Sequence, residues 1–130
     1  MSGAPRVPVS WGELIDKITI LEIKVERMRA PEAVANARRE LELLRSVLGE
    51  PDGVAAMKDA LAAVNRTIWD IEDAIRAKEA AGSFDNEFIE LARGVYQNND
   101  ERSRIKRAIN ETLRSAIIEE KQYVRYGDAT

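Results

Sequence analysis

The spacing of the apolar residues constrains the fold of this chain more than any other feature. Apolar side chains recur every three or four residues in four long segments, which is the period of an amphipathic α-helix. Residues that interrupt helices separate the segments: Pro31 follows the first, a Gly-Glu-Pro-Asp-Gly run at 49–53 follows the second, and a Gly-Ser-Phe-Asp run at 82–85 follows the third. The pattern therefore predicts an all-α chain.

The first helix is predicted to begin after Ser10 and to end just before Pro31. Ser10 and Glu13 have the spacing of a capping box, in which each side chain accepts a hydrogen bond from the backbone N–H of the other residue. Ile15, Ile20 and Ile23 lie off the main apolar stripe of this helix. A helix that is apolar on more than one side packs centrally or is covered by a partner.

The other three helices are predicted at about 32–48, 54–80 and 86–110, with Ser83 or Asp85 as the N-cap of the last. The third spans about 40 Å, so the second pair of helices is longer than the first. We therefore expect a single antiparallel four-helix-type bundle, a short helical hairpin followed by a long one, in one domain over residues 1–130. Residues 112–118 either continue the fourth helix or form a short separate one. Residues 1–9 and about 124–130 are expected to be flexible ends.

Composition and charge exclude several functions. The 130 residues include no cysteine and no histidine, which excludes disulfides, cysteine metal sites and a Ser-His-Asp triad. The net charge is −3, and the basic run at 102–107 points all round a helix, so nucleic-acid binding is not expected. Neither a secretory signal nor an uncharged stretch of about 20 residues is visible. We expect a cytoplasmic protein with no membrane contact.

Polar residues interrupt the apolar pattern on the two long helices. The third carries a polar line at spacings of three and four that includes an indole, a group rarely left wholly in water. The fourth carries polar residues where its stripe should be apolar. Glu13, Asp16 and Thr19 of the first helix are placed to join them. The candidate ligand-binding residues are Trp69, Glu72, Asp73, Arg76, Tyr96, Asn99, Asp100, Arg102 and Lys106.

Two interpretations of this polar cluster stay open. In the structural one, Glu72 and Arg76 form an i, i+4 pair, and the polar residues of the fourth helix form a satisfied layer that sets the register of the hairpin. In the functional one, Arg76, Arg102 and Lys106 bind phosphate or carboxylate, and the aromatic residues form a wall beside the ligand.

Several segments resemble a small bacterial family of uncharacterised all-helical proteins. They read VSWGELIDKITILEIK at 9–24, NRTIWDIEDAIR at 65–76, and NDER followed by KRAIN between 99 and 110. The resemblance implies an all-helical fold and an association with glycosyltransferases of surface-polysaccharide pathways. It implies no catalytic residue.

Three functions are compatible with these features. The favoured one is a non-enzymatic binding or accessory protein, without a metal or cofactor, that recognises a phosphosugar or sugar nucleotide or docks on a glycosyltransferase. The first alternative is an Mg²⁺-dependent phosphohydrolase in which Glu72, Asp73, Asp100 and Asp16 hold the metal. The paired carboxylate motifs of the all-α nucleotide pyrophosphohydrolases, which would support it, are not cleanly present. The second alternative is a purely structural homodimer, and dimerisation is also compatible with the favoured function.

Overall fold

The structure is a computed structural model that describes residues 3–127, and it confirms the all-α fold. Its four helices are α1 (Trp11–Arg27), α2 (Pro31–Leu48), α3 (Ala55–Ala81) and α4 (Asn86–Thr112). They form the expected short and long hairpins. Residues 1–2 and 128–130, which belong to the predicted flexible ends, lie outside the described residues. Within the described range, no helix combines the length and apolarity needed to cross a membrane.

Local sequence signals set the helix ends. The Ser10 hydroxyl accepts from the Glu13 N–H at 3.1 Å, as the capping pattern predicts. Asp85 caps α4, since its side chain accepts from the Phe88 N–H at 2.9 Å. Gly82 ends α3 with a φ of 66°, a left-handed conformation that glycine adopts without strain.

The chain after α4 differs from both expectations for residues 112–118. The helix stops at Thr112, and no further helix follows in the described residues up to 127. Arg114 takes a positive φ of 52°, and the Ser115 N–H donates to the Asn110 carbonyl at 2.8 Å. This bond closes the helix end by using a carbonyl that would otherwise lack a partner.

α1 lies at the centre of the fold, in contact with all three other helices, whereas α2 contacts α1 alone among the described helices. One side of α1 packs against α2 through Leu14, Ile18 and Leu41. The opposite side packs against the long hairpin, where Ile15 and Leu61 are completely buried. Of the three isoleucines off the main stripe, Ile15 and Ile23 are therefore buried within the chain, whereas Ile20 is only half-buried.

A close contact between α1 and α4 depends on Gly12. Its N–H donates to the side-chain oxygen of Asn110 at 2.6 Å. A Cβ at this position would lie 2.5 Å from the Lys106 carbonyl oxygen, closer than real Cβ atoms approach backbone. Only glycine therefore lets the two helices approach this closely.

The long hairpin extends beyond α1. Its helices have 27 residues each against 17 in α1, a difference of about 15 Å. α1 ends near Asp70, whose carboxylate pairs with Arg27 at 2.5 Å. None of the residues between Ile68 and Lys106 is buried. We call the part beyond α1, residues 71–95, the distal hairpin.

Candidate functional site

The polar residues that meet inside the bundle are centred on Asp16, which is completely buried. Its carboxylate accepts from Arg102 Nε at 3.0 Å and Nη2 at 2.5 Å, and from Asn65 Nδ2 at 2.9 Å. Thr19 completes this part, since its hydroxyl accepts from Asn65 at 2.8 Å and donates to the Asp16 carbonyl at 2.8 Å. Asp16 therefore joins α1 to both α3 and α4.

Lys106 extends the cluster towards the N-terminus of α1. Its Nζ donates to Glu13 Oε2 at 2.7 Å and lies 3.7 Å from Asp16 Oδ2 and 3.5 Å from Glu119 Oε2. Burial lowers the pKa of Lys106, but the hydrogen bond to Glu13 and the neighbouring carboxylates together keep that pKa above its ordinary value. The lysine is therefore charged at neutral pH. We call Glu13, Asp16, Thr19, Asn65, Arg102 and Lys106 the polar network.

The network is internally satisfied. The hydrogen bond to Asp16 raises the pKa of Arg102 and outweighs the opposing effect of burial. No buried side-chain nitrogen or oxygen in the described part of the chain lacks a hydrogen-bond partner. Such a network fixes the register of three helices, because moving any of them would leave a buried polar group unpaired.

A groove of about 300 Å³ lies over the network, along the face of α1 that no helix covers. Its floor carries Glu13, Lys17, Ile20 and Lys24, whose spacings of four, three and four place them in one line. Glu40 from α2 lines one wall and Arg102 from α4 lines the other. We call it the α1 groove.

Three cationic groups surround this groove. Neither Lys17 nor Lys24 has an ion pair within residues 3–127. Arg102 turns two of its nitrogens to Asp16, and its third, Nη1, has only a long contact of 3.4 Å to Asn99. The α1 groove therefore offers two unpaired ammonium groups and one guanidinium edge.

The structure places three of the predicted binding residues at this site. Arg102 and Lys106 belong to the network, and Asn99 contacts the outer nitrogen of Arg102. Trp69 lies half-buried on α3 at the level where α1 ends. Arg102 and Lys106 pair with residues of α1, and Asn65 connects the predicted face of α3 to the same network.

The other predicted residues lie elsewhere. Glu72 and Arg76 line a second groove on the distal hairpin, and Asp73 is exposed. Tyr96 packs edge-on against Tyr126, with ring centres 5.0 Å apart, and the Tyr126 hydroxyl donates to Asp100. The nine residues therefore do not form one cluster, and their role in binding stays a prediction.

Two lysines that line the groove were missed from the sequence. Lys17 and Lys24 look like ordinary solvated charges, yet they share a line with Glu13 and Ile20. That line was readable from the spacing. The spacing does not show that α2 and α4 flank this line of residues.

The carboxylates named for an Mg²⁺ site lie apart in the structure. No three carboxylates come together as metal ligands in the described part of the chain. Asp16 is occupied by Arg102 and Asn65, and Asp100 accepts from Tyr126. The four carboxylates expected for Mg²⁺ are thus not assembled.

Comparison with known proteins gives a family and no function. Residues 5–127 match the family of unknown function DUF6165, so the chain belongs to that family. Neither the curated proteins nor the solved structures contain a match.

Proposed function

We propose that this chain is a non-enzymatic binding protein whose α1 groove recognises a phosphorylated small molecule, a phosphosugar or the phosphosugar part of a sugar nucleotide. The observation that carries the proposal is the convergence of Lys17, Lys24 and Arg102 on one groove, with both lysines unpaired within the described residues. Cations without internal partners are free to pair with an anion from outside.

The cations suit phosphate in geometry as well as charge. Lys17 and Lys24 lie two turns apart on α1, about 10 Å along the axis, and both line the same groove on flexible stems. Arg102 is held by Asp16, so its guanidinium is already oriented. A pre-oriented side chain loses little freedom on binding, which favours affinity.

The remaining lining residues suit a sugar. Ile20 gives an apolar patch on the floor, while Glu13 and Glu40 are acceptors for hydroxyl groups. A volume of about 300 Å³ lies at the small end of ligand pockets, enough for a hexose phosphate. A nucleotide moiety would extend outside the groove.

The network argues for binding rather than catalysis. Asp16 is bound to Arg102 and Asn65, and Glu13 is bound to Lys106, so neither carboxylate is available as a general base. We further propose that the protein delivers this ligand to a glycosyltransferase in a bacterial cytoplasm. This part is supported only by the resemblance of the sequence to a bacterial family associated with such enzymes.

Isothermal titration calorimetry tests the proposal with glucose 1-phosphate, UDP-glucose and unmodified glucose. We expect the two phosphorylated compounds to bind and glucose not to bind. The double variant Lys17→Ala/Lys24→Ala should weaken binding at least about tenfold, because each charged hydrogen bond contributes about 1.5–3 kcal/mol.

Arg104→Ala is the matched control, since Arg104 lies exposed on α4 and pairs with Glu101, away from the groove. It should bind like the wild type. Absence of binding for both phosphorylated compounds, or equal binding by the double variant, would contradict the proposal.

A further inference from the structure

The chain after α4 turns back and runs along the outside of that helix. Glu120 Oε2 lies 3.3 Å from Arg107 Nη1, and six residues later the ring of Tyr126 packs against Tyr96. Contacts that advance along this segment therefore move back along α4. Every residue from 116 to 127 is exposed, and none of them forms a backbone–backbone hydrogen bond with another described residue. We call residues 116–126 the C-terminal strap.

Side-chain contacts hold the strap on α4, and they are weak. The ion pair between Glu120 and Arg107 leaves those side chains 73% and 51% exposed, and exposed pairs contribute little stability. The start of the strap is fixed to α1, because the Ser115 hydroxyl accepts from the Trp11 N–H at 3.3 Å. Residues beyond 116 can therefore leave α4 while this attachment stays in place.

Glu119 brings the strap to the end of the α1 groove. Its Oε2 lies 3.5 Å from Lys106 Nζ, and the same ammonium group donates to Glu13, which lines the groove. The negative charge of Glu119 also helps to raise the pKa of Arg102 on the groove wall. The strap therefore holds a carboxylate beside the cationic groups of the proposed phosphate site.

Glu119 is a carboxylate that the network can release. Burial raises the pKa of Glu119, but Lys106 and Lys121 outweigh this effect and keep the pKa below its ordinary value, so the group is ionised at neutral pH. Without Glu119, Lys106 keeps its bond of 2.7 Å to Glu13 and its contact of 3.7 Å with Asp16. Release of the strap therefore leaves this buried ammonium group paired.

The charge balance of the site favours the same exchange. The polar network contains two carboxylates and two cationic side chains, so its own charges cancel. Glu119 adds one negative charge to this balanced group and so opposes the approach of a second anion. A ligand phosphate and Glu119 therefore exclude each other at the end of the groove.

We propose that Glu119 competes with the phosphate of the ligand for the end of the α1 groove, an inference that rests on the proposed function. With the strap on α4, Glu119 lies beside Lys106 and repels a phosphate at Arg102. Binding of a phosphorylated ligand displaces Glu119 and releases the strap. Because linked equilibria are reciprocal, a change that loosens the strap strengthens ligand binding.

Isothermal titration calorimetry of the full chain with glucose 1-phosphate tests the competition. Glu119→Gln keeps the size of the side chain and removes its charge. We expect this variant to bind about two- to fivefold more tightly than the wild type, which is the effect of one exposed charge contact. Glu101→Gln is the matched control, since it removes the same charge from an exposed residue of α4 that pairs with Arg104, away from the groove. It should bind like the wild type.

Heteronuclear ¹⁵N NOE values of the backbone amides test the release of the strap, because they report motion on the picosecond to nanosecond timescale. Values for residues 120–126 of the wild type should fall when glucose 1-phosphate saturates the protein. Values for α4 should stay unchanged, which shows that the helix itself remains intact.

The outcomes separate this inference from the function on which it rests. Binding of equal strength by the wild type and Glu119→Gln would overturn the competition and leave the phosphosugar site standing. Unchanged NOE values in the strap at saturation would overturn its release. Absence of binding by both proteins would overturn the competition and the proposed function together.

Discussion

Replacing Asp16 with asparagine tests how strongly the polar network holds the fold. The change removes a completely buried negative charge and leaves Arg102 without its carboxylate. Loss of one member of a buried ion pair typically lowers stability by about 3–5 kcal/mol. The Arg102 side chain keeps 28% of its exposure, so water partly replaces the lost partner, and we expect about 2–3 kcal/mol. That is a sizeable share of the roughly 6–20 kcal/mol typical of a chain this long.

Urea unfolding followed by circular dichroism measures the effect. A double-mutant cycle with Arg102→Met isolates the pair, and we expect a coupling energy above about 1 kcal/mol. Arg104→Ala, which breaks only an exposed pair with Glu101, should change stability by less than about 0.5 kcal/mol. A loss below about 1 kcal/mol for Asp16→Asn, with an unchanged m-value, would refute the structural role assigned to the network.

Two further predictions concern a helix contact and a helix cap. Gly12→Ala should lower the free energy of unfolding by about 1–3 kcal/mol despite the better helix propensity of alanine, because the new Cβ would meet a backbone carbonyl of α4. Gly94→Ala is the control, since its Cβ would meet only the end of an isoleucine side chain, at 3.0 Å. The same urea assay should show a much smaller loss of stability for this variant. Hydrogen bonds from Lys78 and from the backbone of α4 lower the pKa of Asp85 from 3.8 to about 2. A carboxyl group whose pKa is lower in the folded chain stabilises the fold above its unfolded pKa, so this contribution should disappear between about pH 4 and pH 2. Thermal melts across that range should show this loss of stability in the wild type, and the loss should be smaller in the Asp85→Asn variant.

The helices and their ends were accessible from the sequence because their causes are local. Ser10 and Asp85 cap helices in the structure as their spacing to the following turn predicts. Gly82 marks the end of α3 for the same kind of reason. The positions of Ile15 and Ile23 predict an α1 that is either central or covered by a partner, and the structure supports the central position because it buries both residues inside the chain.

The site was harder to predict from the sequence, because helical spacing shows which residues share a face but not which of them lie level with a neighbouring helix. Asn65 and Arg76 share one face of α3, but only Asn65 lies level with α1 and reaches Asp16. Glu72 and Arg76 lie beyond the end of α1 and line a different groove. The unequal helix lengths indicate which residues of α3 lie beyond α1, because a helix of 17 residues cannot pack along the whole length of a helix of 27.

The most direct test of the proposed binding site is a two-dimensional NMR titration of the backbone amides with glucose 1-phosphate. We predict that the largest shift changes follow the line of the α1 groove, at Glu13, Lys17, Ile20 and Lys24, with Arg102 beside them. Residues 71–95 should change little. Changes confined to the distal hairpin, or none at all at a saturating concentration, would contradict a phosphosugar site in the α1 groove.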